Sequence, residues 1–314
     1  MSTISTGRAR TPRWVLVAVA LIVSALVAAL VATNSWRFGA DDSASGDDDS
    51  AVLSSDTNAP IPTFRTASFN LLGYGHTKPG GDAPRFEDGV TRTDYAVNVL
   101  NRRGIEVVGF QEFQNEQFDR FFEIVGDAWG VYPGDQLSDA AMHNSIAWRT
   151  ERWALVSARS IPIVYAEGAW IKMPFVLLQH KESGRMVWFA NFHNSYGRTA
   201  ASQRYRDQAR ALEIDLANRL HESGVPLVLT GDMNERETYF CPMTTLAPMK
   251  SAAGGSYGAS VPCTQPTDMR IDQIFGSHFL QFSGYTVAQT AYIRKTSDHP
   301  LVYADVSVPV RRRP

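Results

Sequence analysis

Cysteine is scarce in this chain, with two among 314 residues, and neither sign of charge dominates, since 30 Lys and Arg stand against 32 Asp and Glu. A formal charge of −2 excludes the overall basic field that advertises nucleic-acid binding. It does not exclude a nuclease, because a metal ion can supply positive charge locally. Internal repeats are absent, and a chain of this length buries enough core to do without dense cross-linking. What is present is ordinary for a globular protein: 44% hydrophobic, 20% charged and 11% aromatic residues, which excludes disordered, collagen-like and coiled-coil classes.

Long apolar runs are also lacking, with one exception. Trp14 to Ala32 carries Ser24 as its only polar side chain and follows Arg8, Arg10 and Arg13 with no acid before it. Such a run is long enough to cross a bilayer core of roughly 30 Å as a helix, and the arginines orient it with the rest of the chain exported. The expectation is a single-pass cell-membrane protein with an extracellular domain. Cleavage near Val31-Ala32-Thr33, giving a secreted protein, is the alternative. The chain then divides into a basic cytoplasmic N-terminus (1–13), the anchor or signal (14–33), an acidic linker (34–63), a domain (64–310) and a basic tail (311–314). The linker holds six Asp and one Arg with few apolar residues, too little to offset the entropy of ordering it. The domain is left with a charge near −3. It is read as one unit and as a monomer.

Both cysteines, Cys241 and Cys263, fall in the exported part. A disulfide between them is expected, because an oxidising compartment permits it and the enclosed stretch is rich in Gly, Ala and Ser. Two buried free thiols are the alternative. Short apolar runs read as strands at 64–69, 107–110, 145–148, 174–178, 187–192, 226–230, 270–275 and 301–308. Helical patterns cover 92–103, 115–126 and 202–220, the last closed by Ser223-Gly224. The mixture predicts a layered α/β sandwich.

Polar residues recur where these runs end. Asn70 follows RTASF, Glu112 follows VVGFQ and His193 follows VWFANF. Asp232 and Asn234 follow VLTG, Asp272 lies in RIDQIF, and Asp298-His299 precede the last run. Strand ends converge on one rim of a sheet, where α/β enzymes build their sites. Singly each has a plain structural reading: a turn Asn, a Gly-Asp turn, a packed His.

Taken together and in this order, the segments SFNL, GFQE, NSIAWR, ANFHN, LTGDMNE, RIDQIF and TSDHPLVYADV resemble the endonuclease/exonuclease/phosphatase superfamily of metal-dependent phosphoesterases. The resemblance covers almost all of the exported domain. It implies a four-layer αββα sandwich of two packed mixed sheets, with a metal site on one edge. It implies Mg²⁺ (Mn²⁺ or Ca²⁺ as alternatives) held by Glu112, Asn70 through its amide oxygen, and Asp298. In the roles it implies, His299 is a general base or phosphate contact oriented by Asp272. Asp232 aligns water, while Asn234 and His193 donate to the phosphate. Nucleases of this kind often pair the second histidine with a glutamate, for which no partner is apparent. Asn144 and Tyr196 are substrate-contact candidates. His143, Trp148 and Arg149 have a packing reading at least as good. Arg204, Arg206 and Arg210 read as a solvated helix face. Trp170 and Tyr74 read as loop aromatics, and His76 and Lys78 are weak candidates for substrate contact. The implied activity is hydrolysis of a phosphodiester, with extracellular nucleic acid ahead of a lipid headgroup or a sugar or inositol phosphate. A binding domain that kept the fold without catalysis comes last, because the expected site residues are all in place.

Overall fold

The computed structural model describes residues 62–258 and 261–309. The apolar run at 14–33, most of the acidic linker and the basic tail lie outside the described residues. Among those described, no helix is long and apolar enough to cross a membrane.

Two six-stranded mixed sheets pack face to face. The first runs in the order β13 (Gln281–Ala288), β14 (Leu301–Ser307), β1 (Thr63–Asn70), β2 (Val107–Gln111), β4 (Ile146–Arg149), β3 (Trp129–Tyr132). The second runs β5 (Trp153–Val164), β6 (Trp170–His180), β7 (Met186–His193), β8 (Leu227–Asp232), β12 (Asp272–Ser277), β9 (Met249–Ser251). A small hairpin, β10 (Ser256–Gly258) with β11 (Val261–Thr264), stands apart. Each large sheet contains one parallel pair, β1 with β2 and β7 with β8, and is otherwise antiparallel. A parallel pair needs a crossover, and helices supply both. Helix α2 (Gly89–Arg103) joins β1 to β2 and helix α5 (Ala200–Glu222) joins β7 to β8.

The remaining helices are α1 (Tyr74–Thr77), α3 (Asn115–Val125), α4 (Asp139–Met142), α6 (Glu237–Leu246) and α7 (Ile293–Thr296). Helix α2 starts where Asp88 accepts from the Val90 and Thr91 N–H groups, and it stops at the left-handed Gly104. Its buried face, with Ala96, Val97 and Leu100, covers Ala67, Phe69, Val108 and Phe110 of the first sheet. On the second sheet, α5 and α6 bury Ile214, Leu216, Phe240 and Met243 against Phe192, Leu229 and Phe275. The result is the expected four layers.

Strand alternation explains both the core and the rim. Phe64, Val107, Phe189, Val228 and Ile274 fill the space between the sheets. Two residues further along each strand the same face turns polar, with Thr66, Asn191 and Thr230, and at the far end it carries Asn70, His193 and Asp232, with Asp272 opening β12 from the same rim. The predicted strands are all found. Strands β5 and β13 were not anticipated, because exposed residues break their apolar runs, and neither were the short strands β3, β9, β10 and β11, three or four residues each. Helix α6 was not anticipated either: it includes Cys241 and Pro242 and buries Tyr239, Phe240 and Met243.

Candidate active site

Glu112 leaves β2 in the left-handed region, with φ of 57°, a conformation that costs a residue with a Cβ and recurs at functional sites. The turn aims its carboxylate along the rim. Oε1 accepts from Asn70 Nδ2 at 2.9 Å, Oε2 accepts from the Gly73 N–H at 3.0 Å, and His76 Nε2 lies 3.4 Å from Oε2. Burial opposes the charge, but the hydrogen bond from His76, the nearby His193 and the Gly73 and Asn70 donors outweigh it. They hold Glu112 well below the usual carboxylate range. The Glu112 hydrogen bond raises His76 to about 9, against its own burial and with help from Asp82. His76, weak from sequence, is thus a neighbour of the principal metal-ligand candidate. Asn70 departs from expectation in its orientation. Its Oδ1 accepts from the Leu72 N–H at 3.0 Å, and its Nδ2 donates to Glu112 and, at 3.2 Å, to Asp232. It bridges two carboxylates as a donor.

Asp232 is where the contacts converge. Oδ1 accepts from the Asn234 N–H at 3.0 Å, and Oδ2 lies 3.7 Å from both His193 Nε2 and His299 Nδ1. Asn234 is also left-handed, with φ of 50°, and its amide donates to Asn194 O at 2.8 Å. The acid within ion-pair distance of His193 is thus Asp232, with Glu112 near enough to feel its charge, and the His193 ring packs on Tyr165 at 5.3 Å between centroids. His299 Nδ1 meets Asp272 at 2.9 and 3.0 Å, the base-and-orienter pair the sequence implied. Burial disfavours the imidazolium, yet the Asp272 charge and hydrogen bond prevail and raise His299 above its ordinary value. Ser297 fixes this loop by donating to Asn70 O at 2.7 Å and accepting from the His299 N–H.

The donor set suits a hard divalent cation. The ligand atoms of Asp232, Asp272 and His299 lie within 4.8 Å of one another. His299 and Asp272 already engage each other, so an ion among those three would have to displace that hydrogen bond. Glu112 keeps its charge, and Asp298 is exposed. Both acids lie close enough to the buried Arg92 to support its charge, which places them in one neighbourhood. Carboxylate oxygens with room for water are the ligands such ions prefer.

Beneath the rim, Asn191 joins the sheets. Its Oδ1 accepts from Gln111 Nε2 at 2.7 Å and from Thr230 Oγ1 at 3.1 Å, and its Nδ2 donates to Phe110 O at 2.7 Å. A Cβ at Gly109 would come within 2.2 Å of Thr230 Oγ1 and Asn191 Oδ1, so this approach requires glycine. Arg92 is fully buried and donates to the carbonyls of Leu71, Leu72, Thr296 and Glu87, linking the loop after β1 to the one before β14. Arg206, 5% exposed, and Arg210 correct the reading of a solvated face. Arg206 donates to Ser195 O and Gly197 O and lies 3.4 Å from Glu235, whereas Arg210 meets Glu235 Oε2 at 2.6 Å. Arg204 alone of the three is exposed.

Asn144 leaves its side-chain oxygen without a hydrogen-bond partner among the described residues. It is buried, and its amide donates to Ala140 O, a carbonyl left without a helical donor as α4 ends. Trp148 packs in the core, and Arg149 lies over Trp129 and donates to Ile105 O. His143 is the member of that segment that feels Glu112 and His193, and burial lowers its pKa. Tyr196, 58% exposed, stands 6.3 Å from Tyr165 at the rim. Trp170 begins β6, paired with Val164 beside the turn that carries Tyr165, and is exposed. Tyr74 opens α1 and Lys78 follows it, exposed. Cys241 and Cys263 form the expected disulfide.

Among solved structures, an endonuclease/exonuclease/phosphatase family protein from Bacteroides thetaiotaomicron superposes with a TM-score of 0.63 at 18% identity, covering 80% of this chain and 100% of its own. A mannosyl-6-phosphatase from the same species gives 0.59 at 19%, covering 77% and 99%. The catalytic domain of human nocturnin with bound sulfate gives 0.55 at 18%, covering 79% and 96%. Identities this low show the fold alone. No curated protein matches the chain. The Endonuclease/Exonuclease/phosphatase family model matches residues 67–299, most of the chain and every strand end described above, so the chain belongs to that family.

Proposed function

We propose that the chain is a divalent-metal-dependent phosphoesterase that hydrolyses a phosphodiester, with nucleic acid as the substrate class and Mg²⁺ as the ion. The observation that carries this reading is the convergence of Glu112, Asp232, His193 and the Asp272–His299 pair on one rim. A cation held by Glu112, with Asp298 as a further donor, would supply positive charge beside the non-bridging phosphoryl oxygens.

The side chains divide the remaining tasks. Asp272 engages His299 Nδ1, so Nε2 is the nitrogen left to meet a phosphoryl oxygen, and the raised affinity for a proton suits it to donate. Asp232, between the two imidazoles, orients the attacking water and takes its proton as the water oxygen bonds phosphorus and the ester P–O bond breaks, the leaving oxygen taking a proton from solvent to depart as an alcohol. Asn70 bridges Asp232 and Glu112 by donating to both. Asn234 gives its amide to Asn194 O here, so its contribution is to hold the loop and Asp232.

A sugar-phosphate monoester is the alternative, favoured by the likeness to a mannosyl-6-phosphatase. A panel of plasmid DNA, RNA, sphingomyelin, an inositol phosphate, a hexose 6-phosphate and a generic diester, each with Mg²⁺, Mn²⁺, Ca²⁺ or chelator, decides between them. Nucleic-acid cleavage that chelator abolishes is the expected result. Undiminished turnover in chelator would overturn the metal-dependent reading. We further propose that the domain works as a monomer outside the cell, tethered by the apolar run at 14–32.

A further inference from the structure

The loop carrying Asn234 continues into a groove that the mechanism above leaves unused. Two adjoining hollows of about 430 and 310 Å³ share Arg236 and Gln265 as common walls. The first also touches Asn234, and the second ends at Arg270. Arg270 is two residues ahead of Asp272, and Tyr285 feels the charge of both. Cys263, two residues ahead of Gln265, is tied to Cys241 of α6, which holds the outer wall in place.

Two groups in this groove are buried without a hydrogen-bond partner: Nε of Arg270 and Oε1 of Gln265. Buried polar groups are almost always paired, so orphans call for an explanation. These two have opposite sense. A guanidinium N–H needs an acceptor, preferably anionic, and an amide oxygen needs a donor. Among the described residues, neither Arg236 nor Arg270 makes an ion pair. Glu235, the buried acid lining the first hollow, is engaged by Arg206 and Arg210, and the buried Asp272 is engaged by His299, while Asp268 and Glu237 at the margin are exposed to water, where their charge is screened. A carboxylate ligand would satisfy the arginines and leave Gln265 orphaned. A phosphate beside a hydroxyl satisfies both.

We infer that this groove is a second phosphate subsite, continuous with the hydrolytic site through Asn234, which takes a further phosphate of the substrate and a neighbouring sugar hydroxyl. The assignment rests on the phosphoesterase reading above and narrows its substrate to one with at least two phosphates on a hydroxylated sugar. The source is either the next nucleotide of a chain or a bisphosphorylated sugar.

The test uses the full chain with Mg²⁺. Ribodinucleotides NpN, pNpN and NpNp are compared as substrates, and binding of uridine 3′,5′-bisphosphate, uridine 5′-monophosphate, a hexose 1,6-bisphosphate and pyrophosphate is measured by calorimetry. One of the two extra-phosphate dinucleotides is expected to be cleaved with a kcat/KM about tenfold above NpN, and that ratio is expected to collapse toward one in Arg236→Gln and Arg270→Gln. Arg270→Lys keeps the charge and should restore part of it, with thermal melts confirming that each variant is folded. Gln265→Met is expected to weaken the sugar bisphosphates severalfold and leave pyrophosphate unchanged. Tighter binding of the uridine than of the hexose bisphosphate identifies the nucleotide source, and the reverse identifies the sugar. If no dinucleotide is cleaved, the nucleic-acid reading fails, while bisphosphate binding lost in Arg270→Gln still upholds the subsite. Equal binding of mono- and bisphosphates, or bisphosphate binding untouched by Arg270→Gln, would overturn it.

Discussion

Asp272 and His299 test the mechanism at the scale of single residues, because their contact predicts how losses combine. His299→Ala is expected to lower kcat about 10²–10⁴-fold, the usual worth of a positioned proton donor or acceptor. Asp272→Asn should lose much of the same, and the double variant should fall within about twofold of His299→Ala, since an orienter has nothing left to orient. Measuring kcat for the four proteins, with melts as controls, checks this, and independent losses that multiply would sink the coupling. Glu112 makes a separate prediction. Its neighbours stabilise the charge that a cation would use, so Glu112→Gln should raise the metal concentration for half-maximal activity by about 10–100-fold while leaving the melting temperature near that of the parent. A metal titration reads it directly. An unchanged midpoint would remove Glu112 from the metal's surroundings.

At the scale of elements, helix α5 works by unusual means for a crossover helix. Its buried face carries Arg206 and Glu213 in register with Ala209, Leu216 and Leu220. Glu213 is fully buried, and burial pushes its pKa to about 7, against the weaker pull of the Tyr239 hydroxyl and the Asn194 amide. The folded protein therefore keeps a proton between its ordinary value of 4.5 and about 7 that the unfolded chain has released. Stability from this group is full below that window and is lost as pH rises through it. Glu213→Gln should flatten the fall in melting temperature between pH 5 and 7 and stabilise the protein at pH 8 by roughly 2–3 kcal/mol. Parallel pH profiles for parent and variant would reject this. The disulfide is the other element-scale device, closing a separation of 22 residues between α6 and β11. Replacing both cysteines by serine should cost about 3 kcal/mol in denaturant unfolding, and reductant should then have no further effect.

For the whole molecule, the outstanding prediction concerns where it works. The apolar run with Arg8, Arg10 and Arg13 ahead of it should export the domain, so a reporter fused after Pro314 should be active only outside the cytoplasm. Membrane fractionation then distinguishes an anchor from a cleaved signal. Full-length protein free in the cytosol would contradict both. A domain with charge near −3 has no general attraction for polyanions, so the phosphates of the proposed substrate would have to be met locally, by a bound cation and by arginines such as Arg236 and Arg270.

The chain's apolar runs by themselves determined eight of the strands and its helical periodicity the two crossover helices, because a buried strand or helix face must be apolar. Asn70, Glu112, His193, Asp232, Asp272 and His299 were legible as polar residues at or beside strand ends, and their grouping into one site came from the ordered segments that resemble the family. Strands β5 and β13, with exposed residues along them, and β3, only four residues long with Gly130 inside it, carry no such signal, and helix α6 is obscured by Pro242. The roles of Arg92, Arg206 and Glu235 were not legible, although a charged residue on an apolar helical stripe, as at Arg92 with Ala96 and Leu100, is the trace they leave. Orientation belonged to tertiary structure alone. Whether Asn70 offers oxygen or nitrogen, where the Asn144 amide donates, and that Asp232 comes within ion-pair distance of His193 depend on backbone groups and carboxylates brought from distant strands, and local sequence holds no record of those distances.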